Sequence, residues 1–278
     1  MGLIPFPNNA PAPVPDDDLA RDRHDIEAAA DDEGGGKMSF LDHLDELRRR
    51  IIYAVLSVGL GFVVAFFFID QIFDFIMRPL QQLLPAGATL VYTDPTEAFI
   101  LYIKIALIAG LVLASPAVMS QVWLFVAPGL YAHEKKWAIP FVVMSSFFFV
   151  GGAAFSHYVV FPLTWRFFAS FTTDILTFMP RIEPAFSIYL RLLLAFGVVF
   201  QMPTLVWFLA RMGVLTARFM IRNFKYAVLL IVILSAVVTP DGGGVSLVAM
   251  TGPLVVLYIF SIGIAWLVGK KKTEEAQS

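Results

Sequence analysis

Six stretches of the chain are nearly uninterrupted runs of apolar residues, at about 51–69, 98–118, 137–158, 185–210, 226–239 and 245–268. A helix of ~20 such residues crosses a hydrocarbon core ~30 Å thick, because it satisfies its own backbone hydrogen bonds where water is absent. The pattern predicts an all-α, polytopic integral membrane protein with six transmembrane helices. Hydrophobic residues make up 58% of the 278 positions and charged residues 15%, which is more apolar surface than one soluble core hides. The fifth run is short: at ~1.5 Å rise per residue it covers only ~21 Å. Such a mismatch thins a bilayer locally, and is expected here to lower the barrier to passage of a large solute.

The runs are framed by segments of different character. Residues 1–37 hold Pro5, Pro7, Pro11, Pro13 and Pro15, then Asp16, Asp17 and Asp18, then Gly34, Gly35 and Gly36. With so little to bury, they read as a disordered acidic, proline-rich tail. The opening MGLIPFPNNAPAPVP has neither the basic start nor the apolar run of a cleaved signal peptide. A membrane domain is expected over 38–269 and a short tail over 270–278. In SFLDHLDELRRR, Ser39 and Asp42 make a capping-box-like start, and Phe40, Leu44, Leu47 and Ile51 recur at helical spacing. This predicts a short amphipathic helix feeding the first span. Asp70 to Pro85 reads as an amphipathic piece interrupted by Pro79, too polar to cross.

The basic residues set the expected orientation. Arg21, Arg23, Lys37 and Arg48 to Arg50, Lys135 and Lys136, Arg211, Arg218, Arg222 and Lys225, and Lys270 to Lys272 all fall on one face if the N-terminus is cytoplasmic. The other face then keeps only Arg78, Arg166 and Arg181, so both termini are expected in the cytoplasm. Ser57, Gly61 and Ala65 in span one, and Ala106, Gly110 and Ala114 in span two, recur every four residues as candidate faces for close helix approach.

Two segments at the expected cytoplasmic surface place carboxylates among basic residues: His43 to Arg48 before span one, and Phe125 to Lys136 between spans two and three. Spacing alone also admits ordinary helix-face pairs, since Asp45 stands four before Arg49 and Glu46 four before Arg50. The chain has no cysteine, and its histidines never stand at the i, i+4 spacing of a helical metal pair. The run Gly263 to Lys272 has the wrong spacing for a phosphate loop. No cofactor, metal, nucleic-acid or catalytic site is assigned.

HLDELRRR resembles the HLxELRxR start of the C subunit of the twin-arginine protein translocase, and FVAPGLYAHEKK resembles that family's first cytoplasmic segment. The resemblance runs over about 39–268, through QVWLFVAPGLY, the Phe161-Pro162-Leu163 triplet, YLRLLLAFGVVFQMP and Thr239-Pro240. It implies a signal-peptide receptor and translocase core in the cytoplasmic membrane, driven by the proton-motive force. It further implies A-type and B-type single-span partners, folded cargo with twin-arginine signals, and several copies per receptor complex. Glu46 and Glu134 are implied to hold the paired arginines, with His43, Leu47, Arg48, Phe125, Pro128 and Tyr131 shaping that surface.

Three positions depart from the family pattern. Gln201 stands where many members carry Glu, Asp241 follows Thr239-Pro240 at once, and Ile259 follows Leu257-Tyr258 where Glu is common. Gln201 keeps the capacity to bond a partner helix but not a charge. Lys104 and Arg191, inside spans two and four, either snorkel to water or pair with Asp94, Glu97 or Glu183. A small-molecule secondary transporter is the competing reading, but no acid or histidine falls at the centre of a span and no repeat relates the halves.

Overall fold

A computed structural model describes residues 40–82, 90–91, 94–126, 137–171, 180–238 and 244–275. The tail read at 1–37 and the Thr239 to Asp241 segment lie outside them. The chain divides into two units between Glu46 and Leu47. What is described is almost entirely helical, and five helices are long and apolar enough to cross a membrane: Leu41–Phe67, Pro95–Leu113, Ala138–Ala169, Ile182–Met212 and Met250–Gly269.

The amphipathic segment and the first span form one continuous helix, α1 (Phe40–Phe67), rather than two elements. No Gly or Pro stands at the join to break it. Helix α2 (Ile69–Gln81) follows after a single residue and passes through Pro79. The helix runs two residues past Pro79, so the expected interruption is confined to its last turn. Met77 and Leu80 of α2 are fully buried.

The second run is split into α3 (Pro95–Leu113) and α4 (Ser115–Val126) by a turn at Ala114. Pro116 has no N–H to continue the α3 ladder but suits the first turn of a new helix. The fourth run is likewise α7 (Ile182–Val199) and α8 (Met202–Met212), broken at Phe200–Gln201 ahead of Pro203. Helix α8 ends on Gly213, whose φ of 83° is accessible to glycine at little cost. The Val214 N–H then reaches back to the Leu209 carbonyl at 3.0 Å, closing a Schellman-type cap.

The third run is α5 (Ala138–Phe155), a π turn over Ser156–Val160, and α6 (Phe161–Ala169). Pro162 cannot donate to the Tyr158 carbonyl, and the Phe161 N–H bonds to Ser156 at the wider i−5 spacing. His157 is thereby buried and stacks on Phe75 at 4.3 Å between ring centroids. Helix α9 (Ala217–Arg222) is capped by Thr216, whose Oγ1 accepts from the Phe219 N–H at 3.3 Å. Helix α10 (Phe224–Val238), the expected fifth span, has 15 residues, or ~22 Å at the α-helical rise. Helix α11 (Gly244–Glu275) contains Pro253 and packs along α8 and α10. The Tyr258 hydroxyl donates to the Met220 carbonyl at 3.0 Å, tying α11 to α9.

The core is built where α2, α3, α6 and α7 meet, around Leu101, Ile105, Phe161, Phe186, Leu192 and Phe196. The small-residue faces of α1 and α3 do meet. A Cβ placed on Gly61 would lie 2.4 Å from the Gly110 carbonyl oxygen, and one on Gly110 would lie 2.4 Å from the Phe62 nitrogen. Ala65 and Ala106, one turn along the same faces, are buried. Gly152 of α5 presses on the Phe196 carbonyl of α7 in the same way, at 2.5 Å.

Gly110→Val is expected to lower stability by ~1–3 kcal/mol, the usual cost of overpacking, because its neighbour is backbone and cannot rotate aside. Gly59→Ala, with nothing within 4 Å of the added carbon, should stay within ~0.5 kcal/mol of the parent. Heat-induced loss of the monodisperse gel-filtration peak in detergent distinguishes the two.

Candidate functional site

The residues singled out in the sequence fall in two sets. At the start of α1, His43 and Glu46 are half-buried. Beyond the unit boundary, Leu47 is half-buried and Arg48 is exposed. Pro128, Tyr131 and Glu134 lie outside the described residues. Phe125 is half-buried in the last turn of α4, one turn after Gln121. The Arg50 guanidinium donates to the Gln121 side-chain oxygen at 3.4 Å. This bond brings the α1 segment just after Leu47 and Arg48 beside the α4 face that carries Phe125. The Arg49 guanidinium lies over the Tyr53 ring at 5.7 Å, which keeps it along α1.

Sequence reasoning missed what holds the segment 127–136 at its ends. Val126, the last residue of α4, and Trp137, just before α5, pack against the same aromatic cluster, centred on Trp123 and Phe141. Phe208 of α8 meets Trp123 edge-on at 5.5 Å and Phe141 at 5.7 Å. Trp207 meets Trp137 edge-on at 5.9 Å, and the Arg211 guanidinium sits 4.2 Å over the Trp137 ring. Edge-to-face pairs are worth ~0.5–1.5 kcal/mol beyond burial and a cation over an indole ~0.5–2. One signal was available: Trp137 with Phe141, and Trp207 with Arg211, are i, i+4 pairs at the ends of apolar runs.

The polar residues inside the spans serve other contacts. Lys104 of α3 donates to Glu183 of α7 at 3.1 Å, so the pairing alternative holds for it. Both side chains are more than a third exposed, 38% and 39%, so the pair contributes at most ~1 kcal/mol. Arg181 pairs with Glu97 nearby. Beneath that pair the Ile182 N–H donates to the Val91 carbonyl at 3.0 Å, in a parallel bridge between Val91 and Arg181. Asp94 accepts from the Thr96 hydroxyl at 2.7 Å and from its N–H at 2.8 Å, capping α3. Those two bonds hold its carboxyl below the usual carboxylate range. Gln201, at the α7–α8 break, donates its amide to the Ser145 carbonyl of α5 at 2.9 Å.

The family of Sec-independent protein translocase proteins (TatC) has a profile that matches residues 42–253. The chain belongs to the TatC family. It is 42% identical over 246 residues to the Sec-independent protein translocase protein TatC of Koribacter versatilis (strain Ellin345), covering 86% of this chain and 90% of that one. The corresponding Helicobacter pylori (strain J99) protein is 39% identical over 226 residues, covering 81% of this chain and 88% of that one. A crystal structure of the twin arginine translocase receptor TatC matches with a TM-score of 0.70 at 33% identity, over 81% of this chain and 99% of that chain. TatC membership makes this a multi-pass membrane protein and a protein-transport subunit rather than an enzyme. It also decides against the small-molecule transporter.

Trp207→Ala is expected to cost roughly 1–3 kcal/mol, below the ~3–5 of a fully buried aromatic, because Trp207 is half-buried. Trp207→Phe should lose less than half as much, and Arg211→Lys the ~0.5–1 kcal/mol of its stacking. Chemical denaturation in micelles orders the three.

Proposed function

We propose that this TatC-family chain is the signal-peptide receptor and core subunit of the twin-arginine translocase, exporting folded proteins across the cytoplasmic membrane. The observation that carries the reading is the family match over 42–253, which contains both HLDELRRR and FVAPGLYAHEKK in full. In this reading Glu46 and Glu134 each take one arginine of the signal. A guanidinium offers a carboxylate two parallel charge-assisted hydrogen bonds that a lysine ammonium cannot reproduce, so two carboxylates discriminate Arg-Arg from Lys-Lys. His43, Leu47, Arg48, Phe125, Pro128 and Tyr131 shape the surrounding surface.

The chain crosses six times, α10 providing the short crossing, with both termini in the cytoplasm. The placement of most lysines and arginines on that face supports this orientation. The protein works in several copies with A-type and B-type single-span subunits. No nucleotide-binding motif is present in the sequence, which supports the proton-motive force as the source of energy. Gln201, bonded to α5, keeps its helix-joining role without a charge.

Removing one member of a desolvated charge pair costs roughly 2–5 kcal/mol, and each ~1.4 kcal/mol is tenfold in affinity. Glu46→Ala and Glu134→Ala are each expected to weaken binding of a labelled twin-arginine peptide at least ~10-fold without altering membrane insertion. Fluorescence anisotropy in nanodiscs measures the first, and carbonate extraction the second. Parent-like affinity in both variants would overturn the assignment.

A further inference from the structure

Helices α2, α3, α5 and α7 border a cavity of about 430 Å³. Its walls are mostly aliphatic, among them Ile76 of α2, Ile108 and Val112 of α3, Val150 of α5 and Leu193 of α7. Phe75, Leu113 and Tyr158 also line it and are exposed, so the cavity opens at the surface of the spans. Cavities with such walls stay free of water and accept apolar ligands instead.

One lining group is out of keeping with those walls. His157, in the π turn, lines the cavity and is only 4% exposed. Phe75 stacks on its ring, and Tyr158 and Tyr189 meet the ring edge-on at 4.7 and 6.0 Å between centroids. Its Nδ1 is buried without a hydrogen-bond partner, and neither ring nitrogen has one among the described residues. An imidazole always carries at least one N–H donor, and a buried donor left unmatched is costly. What suits this cavity is an apolar body with a carbonyl acceptor at the end that meets His157.

Depth identifies the source of that carbonyl. Tyr189, edge-on to His157, stands six residues along α7 from Glu183, or about 9 Å at the α-helical rise. Glu183 and its partner Lys104 are each more than a third exposed, as suits the polar boundary of a bilayer. The headgroup zone inside that boundary is roughly 5–8 Å deep on each side. His157 therefore stands near the inner edge of the zone, where the ester linkages of bilayer lipids lie. Val150, seven residues before His157, lines the cavity about 10 Å further along the same helix, which gives an acyl chain room to follow.

We infer that this cavity seats one acyl chain of a bilayer phospholipid, whose ester carbonyl accepts a hydrogen bond from the His157 imidazole. The chain runs along the aliphatic walls toward Val150 and Val112, and the headgroup stays at the level of the Glu183–Lys104 pair. A lipid held there touches four helices at once, unlike one that only coats the surface. The site is independent of the peptide-binding reading at Glu46 and Glu134.

The test uses the full chain in detergent and native mass spectrometry. Protein taken from its own membrane is expected to retain one phospholipid. After that lipid is stripped, diester phosphatidylethanolamine is compared with its diether analogue, which lacks the carbonyls. The diester should bind roughly threefold or more tightly, and a diazirine at the end of its acyl chain should mark Val112 or Val150. The ester preference should vanish in His157→Phe, which keeps a ring against Phe75 but has no donor. Ala154→Phe, which puts a ring into the cavity, should lose the bound lipid. If Ala154→Phe misfolds on gel filtration, the ester and ether comparison in His157→Phe decides. Equal affinity of the parent for the two lipids, an ester preference that survives in His157→Phe, adducts on the outer surface only, lipid retained by folded Ala154→Phe, or a quinone or free fatty acid in place of the phospholipid overturns the inference. Affinity for a twin-arginine peptide should be unchanged in His157→Phe.

Discussion

An apolar solvent exerts no hydrophobic pressure between helices, so their association rests on how closely backbones approach and how their polar groups are matched. Among the described residues, Gly61 against Gly110 and Gly152 against Phe196 are the two places that take that route furthest, with added carbons meeting backbone at 2.4–2.5 Å. The first contact joins α1 to α3 and the second joins α5 to α7. The buried aromatics Phe161, Phe186 and Phe196 supply the bulk of the core.

The polar groups follow a matching division. Toward the N-terminal ends of α3 and α7 two ion pairs and a backbone bridge join segments far apart in sequence. At the ends of the segment 127–136, aromatic rings and one arginine do the equivalent work. Ion pairs suit a wet boundary because screening makes them adaptable. Edge-on aromatic pairs and a cation over an indole ring hold shape there without using carboxylates.

Much of this was legible in the sequence, for a physical reason: apolar run length is a direct readout of membrane crossing, and four-residue repeats of small side chains are a direct readout of close approach. The Gly61 and Gly110 faces were found that way. The breaks were harder to read. Pro116 and Pro203 stand in the first turn of a new helix, where the expected spans split, whereas the helix that carries Pro79 runs two residues past it. Composition does not distinguish these positions, since the outcome depends on which carbonyl would have received the missing N–H. The join of the amphipathic segment to the first span was invisible for the opposite reason, since nothing marks the absence of a boundary. For the site, resemblance supplied Glu46 and Glu134 where spacing alone left ordinary helix-face pairs open. The Trp137, Trp207 and Arg211 arrangement went unread because its members come from helices far apart in the chain.

The π turn at Ser156–Val160 has one more consequence. Each residue of a helix swings the next by about 100°, so the additional residue in that turn acts as a rotary offset between α5 and α6. Phe161, Thr164 and Trp165 are aimed inward by it. Trimming one residue from this stretch would restore an ordinary turn and carry Trp165 around toward lipid, however well every other side chain were kept. The number of residues here matters to the fold as much as their kind.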